Sequence, residues 1–494
     1  MSQEFRFPGG RFRETQEHLK WEGIHHINRQ RARNQNLRNQ IISTGPSYDT
    51  SEDLPPLEWA FGVERLKTIV DDLAKYKGQA AGPDGIHWND VTQAGLYAVC
   101  RIVNDLVIRG EYRPGAIRKV SIPKSKGGTR TLKIGNIADR LVATVISQIL
   151  TALVDKHFVS TSYAYRPKLG VYDLLIQLSY LIDVEHKHYT VCEDFNNAFD
   201  NVPIDLILAG LPEVGVIAAN VPAEDAEQQE TVVEQWKALI EVVLRGSTWK
   251  SVGISQGCPL SPVAMNIFGH LNHDLVCQRI AAGVTALRYS DDMFYLCDSE
   301  DQLADFRKLI GEHIQQFGFS FKGGGNQHSD NTNIRPTNIV NTPIESMGFV
   351  MSMSPDSNLR YEIPESGYLK LTERLKETHR TPNPIKLGTQ ILEGWIKAHG
   401  PAFSPNCRDA TGVKILSSLE ELCLEDSLSP ESCYKLMQDS YRKWEQKRQQ
   451  FYTRQRTTTA YQTTQETASI PSTLPEVATA PQSLNFENDD SCPF

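Results

Sequence analysis

Three aspartates have the type and placement to do chemistry. Asp194 closes the β-prone run Tyr189–Glu193, and Asp291 and Asp292 interrupt a second such run from Val284 to Cys297. If the two runs pair as central strands, with the second turning over at Ser290-Asp291-Asp292, the carboxylates meet at one edge of a sheet. Clustered carboxylates repel, so such a site is stable only around a cation. Two Mg²⁺ ions roughly 4 Å apart would fit there, one activating an attacking hydroxyl and the other holding a triphosphate, which is nucleotidyl-transfer chemistry. An Asp-Asp pair taken alone is ordinary turn chemistry, because Asp tolerates left-handed backbone and bonds its own main chain. The surrounding elements therefore decide the meaning.

Those elements read in order along the chain. Leu57, Phe61, Leu66, Ile69, Val70 and Leu73 recur at helical spacing, and Gly82-Pro83-Asp84-Gly85 breaks the pattern. A helix over Val91–Val107 precedes two strands, Lys119–Pro123 and Thr129–Ile134, around Lys126-Gly127-Gly128. Ile137–Phe158 and Tyr172–Glu185 predict buried helices, and Glu224–Leu244 a surface helix with an acidic start. From Leu359 the pattern is helical to about Gln450.

Charge is unevenly spread over the 494 residues. The net charge is −9, yet residues 101–170 hold thirteen Lys/Arg against four Asp/Glu, a local +9 (13 − 4). An acidic protein thus carries one basic face; the net charge argues against indiscriminate nucleic-acid binding, and on charge alone a basic run reads as a solvated surface. The nine cysteines include no CxxC pair and no zinc-like quartet with histidine. Residues 1–40 are polar and Arg-rich, unlike a signal peptide, and no uninterrupted apolar run is long enough to span a bilayer, so a cytoplasmic protein without a membrane partner is expected. Residues 1–50 read as a polar, basic extension, and 451–494, rich in Thr, Gln, Ser, Pro and Ala, as a disordered tail.

The motifs in company resemble the reverse transcriptases, especially those of bacterial group II introns and their free-standing relatives. The ordered matches are Ala81-Gly82-Pro83-Asp84-Gly85-Ile86; Ile122-Pro123-Lys124 with Gly128-Thr129-Arg130-Thr131-Leu132; Asp139-Arg140; and Ser162-Tyr163-Ala164-Tyr165-Arg166-Pro167. They continue through Glu193–Asp200, Gln256–Pro262, Tyr289-Ser290-Asp291-Asp292, Ser346-Met347-Gly348-Phe349 and Ile391–Ile396. The resemblance implies an α+β right-hand polymerase, with fingers and palm over 51–355 and an α-helical thumb over 356–450.

It also implies residue roles. Asp194, Asp291 and Asp292 would be catalytic, holding Mg²⁺, or Mn²⁺ as substitute, together with Phe195. Lys124, Arg130, Phe195, Phe199, Gln256 and Gly257 would bind the dNTP. Lys124 and Arg130 can clamp phosphate oxygens; Phe199 falls where the family places the bulky side chain that rejects a 2′-hydroxyl; Gly257 permits close approach and Gln256 supplies donor and acceptor. Asp200 is expected to cap the next helix, outside the metal set.

Two departures from the family pattern stand out. Ser290 replaces the more usual Ala, and Phe321-Lys322-Gly323-Gly324 leaves the role of Lys322 open. No zinc-binding or HNH-type endonuclease signature follows residue 400. The resemblance is therefore to stand-alone, defence-associated enzymes that copy a structured noncoding RNA into DNA, with RNA template, DNA product and dNTPs as partners and an oligomer possible. The competing readings are a maturase-like RNA-binding module and template-independent or protein-primed synthesis, with Tyr452 and Tyr461 as conceivable primers.

Overall fold

The computed structural model describes residues 50, 53–76, 80–123, 129–216, 223–280, 283–321 and 336–468. Nearly all of the N-terminal extension, Lys124 and Lys322 lie outside the described residues.

The first apolar stretch forms two helices, Leu57–Ala60 and Val63–Tyr76, where periodicity predicts one. The break falls at Phe61-Gly62: Phe61 is fully buried, and Gly62 is the weak helix former that lets the chain turn. The helix Gln93–Ile108 starts two residues later than its spacing suggests, because the Thr92 hydroxyl accepts from the Gly95 amide and caps it.

Strands β1 (Arg118–Pro123) and β2 (Thr129–Ile134) pair antiparallel, from Arg118 opposite Ile134 to Pro123 opposite Thr129. The helix Ile137–Val154 follows. Among the described residues it alone is long and apolar enough to cross a bilayer. Its apolar positions from Ile137 to Val154 are buried in the main core, which accounts for that composition.

The central sheet contains β3 (Tyr189–Asp194), β4 (Thr285–Tyr289), β5 (Asp292–Cys297) and β6 (Thr337–Asn338), in the order β4-β5-β3-β6 and antiparallel throughout. β5 is central, and Met293–Cys297 are buried on both faces, so the run reads as continuously apolar. The helices Ser261–Gly269 and Glu300–Gln315 belong to the same core. The second is capped by Ser299, whose hydroxyl accepts from the Gln302 amide.

A third sheet, β7 (Ile344–Ser346), β8 (Phe349–Met353) and β9 (Leu359–Glu362), turns tightly at Met347-Gly348, both at positive φ. It corrects two expectations. Leu359 begins a strand where a helix is predicted, and a boundary at 355/356 would cut the β8–β9 hairpin, in which Met353 pairs with Leu359.

Residues up to Trp444 form one compact unit and Glu445–Phe494 a second. The expected disorder is also corrected over residues 451–468, because a helix runs Pro430–Ala468; the rest of the expected tail, 469–494, lies outside the described residues. The helix's Gln, Arg and Ala residues are good helix formers, which outweighs the slight cost of the Thr453 and Thr457 hydroxyls bonding the carbonyls of Gln449 and Thr453.

Candidate active site

The sheet register builds the site. Asp194 at the end of β3 lies opposite Asp292 at the start of β5, and Asp292 lies opposite Tyr289 on β4. Asp291 sits in the β4–β5 turn beside Ser290, whose φ of 63° makes the reversal. The Phe195 amide donates to the Asp291 carbonyl at 3.3 Å, joining the chain beyond Asp194 to that turn. The three aspartates expected from the sequence are thus brought to one edge.

No group of three His, Cys, Asp or Glu side chains among the described residues is arranged to hold a metal ion. The donor chemistry nevertheless fits Mg²⁺. That ion takes oxygen ligands, dehydrates reluctantly, and is commonly held by one or two carboxylates, with water and substrate phosphate completing its shell. Facing carboxylates on adjacent strands, with main-chain carbonyls beside them, are such a set.

Behind the aspartates is a buried clamp. Arg288, 1% exposed, donates through Nε and NH2 to both carboxylate oxygens of Asp274, at 2.8 and 2.7 Å. It also donates to Asn266 Oδ1, Ser162 Oγ and the Ser290 carbonyl. Burial pushes the Asp274 carboxyl upward, but the Arg288 charge and the hydrogen bonds from His273 and Arg288 outweigh it and hold the group well below the usual carboxylate range. One side chain therefore ties the catalytic turn to the helix Ser261–Gly269, to the turn after it and to the 159–167 segment.

In front is a cleft of about 1070 Å³ lined by Arg130, Phe199, Gln256, Gly257 and Asp291. Four of the predicted dNTP-binding residues thus share one cavity with Asp291. Gly257 has φ +105°, and a Cβ there would come within 2.7 Å of the Lys133 carbonyl, so glycine is required. The Lys133 amide in turn donates to the Gln256 carbonyl at 2.7 Å, which straps this stretch onto β2. Phe199 is partly buried and packs against the core while facing the cleft.

Two residues sit in ways the sequence does not announce. The Phe195 ring is 1% exposed and packs among Phe319, Phe321 and His273, so the residue faces the site through its main chain. A residue that follows a buried strand end points alternately in and out, and Phe195 points in. Asp200 does not cap the next helix, whose N-cap is Pro203; it pairs with Lys133 at 3.0 Å.

Sequence reasoning missed Lys133, Arg140 and Tyr165, which also line the cleft. The first two lie in the +9 segment, and that excess was their signal. Arg140 lies over the Trp88 ring at 5.2 Å, and burial lowers its pKa. Tyr165 is also in that segment, but its presentation depends on a φ of 60°, which no sequence pattern announces.

A carboxylate at one strand end opposite a tandem-aspartate hairpin, beside a basic cleft, defines the palm of a right-hand polymerase. Residues 122–323 match the family described as reverse transcriptase (RNA-dependent DNA polymerase). The chain is 28% identical over 217 residues to protein YkfC of Escherichia coli, covering 42% of this chain and 52% of that protein. It is 25% identical over 152 residues to a putative COX1/OXI3 intron 2 protein of Saccharomyces cerevisiae, covering 31% of this chain and 17% of that one. The chain therefore spans about half or less of these relatives. Among solved structures it is similar to apo telomerase from Candida tropicalis, with TM-score 0.38 and 10% identity over 67% of each chain. It is also similar to telomerase from Candida albicans, with TM-score 0.34 and 11% identity over 67% of this chain and 64% of that one.

Proposed function

We propose that the protein is an RNA-directed DNA polymerase, making cDNA from dNTPs in the cleft between β2 and the catalytic hairpin. The observation that carries this reading is Asp194 in register with Asp292, with Asp291 on the wall of a cleft that also presents Arg130, Phe199 and Gln256. Asp194, Asp291 and Asp292, with the Phe195 carbonyl, would hold Mg²⁺ or Mn²⁺, which when bound neutralises phosphate charge and makes a hydroxyl a better nucleophile. Arg130, with Lys124 from the same hairpin, binds the triphosphate and offsets charge developing at the α-phosphorus. Phe199 packs under the incoming sugar and excludes a 2′-hydroxyl. Gln256 bonds at the edge of the nascent pair, and Gly257 lets backbone approach it.

The family resemblance supports a structured noncoding RNA as template and a role in bacterial antiphage defence. A second reading, an intron-associated RNA-binding protein, is favoured by the likeness to proteins named for COX1/OXI3 introns. Primer extension separates the two. Purified protein with an RNA template, DNA primer, dNTPs and Mg²⁺ should extend the primer, and Asp291→Ala/Asp292→Ala should lower the rate more than about a thousandfold. Extension that survives in the double variant would overturn the site; no extension by the native chain, with RNA still bound, would favour the second reading. Phe199→Ala should admit ribonucleotides.

A further inference from the structure

We propose that Tyr165 is a substrate-contacting residue, an aromatic platform on which a nucleobase of the bound strand stacks beside the catalytic turn. The inference rests on the polymerase reading and adds a contact that none of the predicted roles includes.

Tyr165 lines the same cleft as Asp291, Phe199 and Gln256, and it is 48% exposed although its neighbours Tyr163 and Ala164 are buried. Its φ of 60° is a left-handed conformation that a bulky L-residue adopts only when its surroundings impose it. The surroundings do impose it. Tyr163 N donates to the Arg288 carbonyl and Arg288 N to the Thr161 carbonyl, both at 2.9 Å. Asn266 Nδ2 holds the Ala164 carbonyl at 2.7 Å, and Arg288 NH2 holds Ser162 Oγ. On the other side, Arg166 bonds Asp155 and the carbonyls of Val159 and Ser162. The segment is fixed before and after Tyr165, and the residue between is turned outward.

An apolar ring left half in water, on strained backbone, recovers little of the burial that stabilises core aromatics. The fold therefore supplies no reason for a ring here, whereas a ligand does. The ring is also attached to the chemistry: Ser290 Oγ donates to the Tyr165 hydroxyl at 3.4 Å, and Ser290, itself at φ 63°, precedes Asp291. Ser290 stands where the resembling family more usually has Ala, so this tether belongs to the present chain.

The ligand follows from the neighbours. Arg130, Lys133 and Arg140 give the same cavity its positive charge, which suits phosphates, while Tyr165 contributes an uncharged π-face. A basic groove combined with an aromatic face recognises a strand by its backbone and its bases regardless of sequence.

Fluorescence anisotropy with an RNA–DNA primer–template hybrid, without dNTPs, tests the contact. Tyr165→Gly and Tyr165→Asn both tolerate positive φ, so neither should lower the melting temperature. Each should weaken Kd about five- to a hundredfold, the range for losing one base–aromatic stack. Tyr165→Phe and Ser290→Ala keep the ring and should bind within about twofold of the native chain. The slope of log Kd against log salt should be unchanged, since no phosphate contact is removed. Native-like binding by the Gly and Asn variants, loss of binding in Tyr165→Phe equal to theirs, or a slope altered by about one would each overturn the proposal. If the native chain extends primers while these variants bind normally, the Tyr165 contact alone falls. If the native chain neither binds the hybrid nor extends it, the polymerase reading falls and the contact with it.

Discussion

Two buried ion pairs lie side by side in the central sheet, one row behind Asp194, Asp291 and Asp292. Arg288 on β4 and Glu193 on β3 both stand opposite Met293 of β5, so all three side chains share a face. Arg288 binds Asp274 in both carboxylate positions, and that carboxylate also receives His273 Nδ1 at 2.8 Å. Glu193 binds Arg307 through Oε1 at 2.8 Å, while its Oε2 is buried without a partner. The directions of titration differ accordingly. Burial raises the Glu193 carboxyl despite the Arg307 charge, whereas Asp274 is held low despite its burial. At like burial, the number of satisfied oxygens decides which form of the acid is favoured. The sheet thus has a rigid side, under the turn that carries Asp291, and a less completely bonded side, next to Asp194.

The largest effect that separates the two is truncation of Arg288. Arg288→Met leaves Asp274 buried without its cation and releases Ser162, Asn266 and the Ser290 carbonyl together. The expected cost is about 3–5 kcal/mol, read as a lower urea midpoint. Adding Asp274→Leu should restore most of it, because replacing a whole buried pair with apolar groups is often nearly neutral. A single variant with native stability would show that the clamp carries no weight.

Only part of this contrast is legible in the sequence. The carboxylates are legible because strand period and turn chemistry are local: Asp194 ends a β-prone run, and Ser290-Asp291-Asp292 interrupts another. The β1–β2 hairpin is legible for the same reason, down to the residues of β2. The clamp is not. Arg288 reads as one polar position in a β-prone run, Asp274 stands in a stretch that no motif marks, and only tertiary packing makes them partners. Phe195 shows the same limit, since adjacency to Asp194 suggests a substrate contact while the pleat sends its ring into the core. The tail misleads because composition alone cannot weigh helix-forming Gln, Arg and Ala against Thr.

The next effect in size concerns the space the clamp needs. A Cβ at Gly269 would lie 2.6 Å from Arg288 Cζ, and the guanidinium has no flexible end to move, being held by Asp274, Asn266 and Ser162. Gly269→Ala should therefore destabilise by about 1–3 kcal/mol, against the gain in helix propensity that the same change gives at an open site. Gly394, on the helix Pro384–Ala398, has nothing within 4 Å of an added methyl and serves as the control, where Ala should be neutral or stabilising. Equal melting temperatures for the two variants would mean that Arg288 yields, and the rigid side would not be rigid.

The smallest effect is in pH dependence, where the two pairs have opposite signs. Asp274 is depressed in the folded chain, so its contribution is present above its unfolded pKa of roughly 3.9 and is lost as the pH falls toward the folded value. Glu193 is raised, so it costs nothing below its unfolded pKa of roughly 4.3, and its cost grows as the pH rises through the folded value. Glu193→Gln keeps an oxygen for Arg307 and removes the titration. The variant should lose about 1 kcal/mol near pH 4, where the native acid is already neutral and better fitted, and that deficit should shrink or reverse by pH 8. Asp274→Asn should do the reverse, with a deficit that is greatest at neutral pH and shrinks on acidification. Urea melts of the three chains from pH 3 to 8 measure both. Parallel curves for the native chain and Glu193→Gln would mean that Glu193 titrates alike folded and unfolded, and that the two sides of the sheet differ in contacts but not in charge.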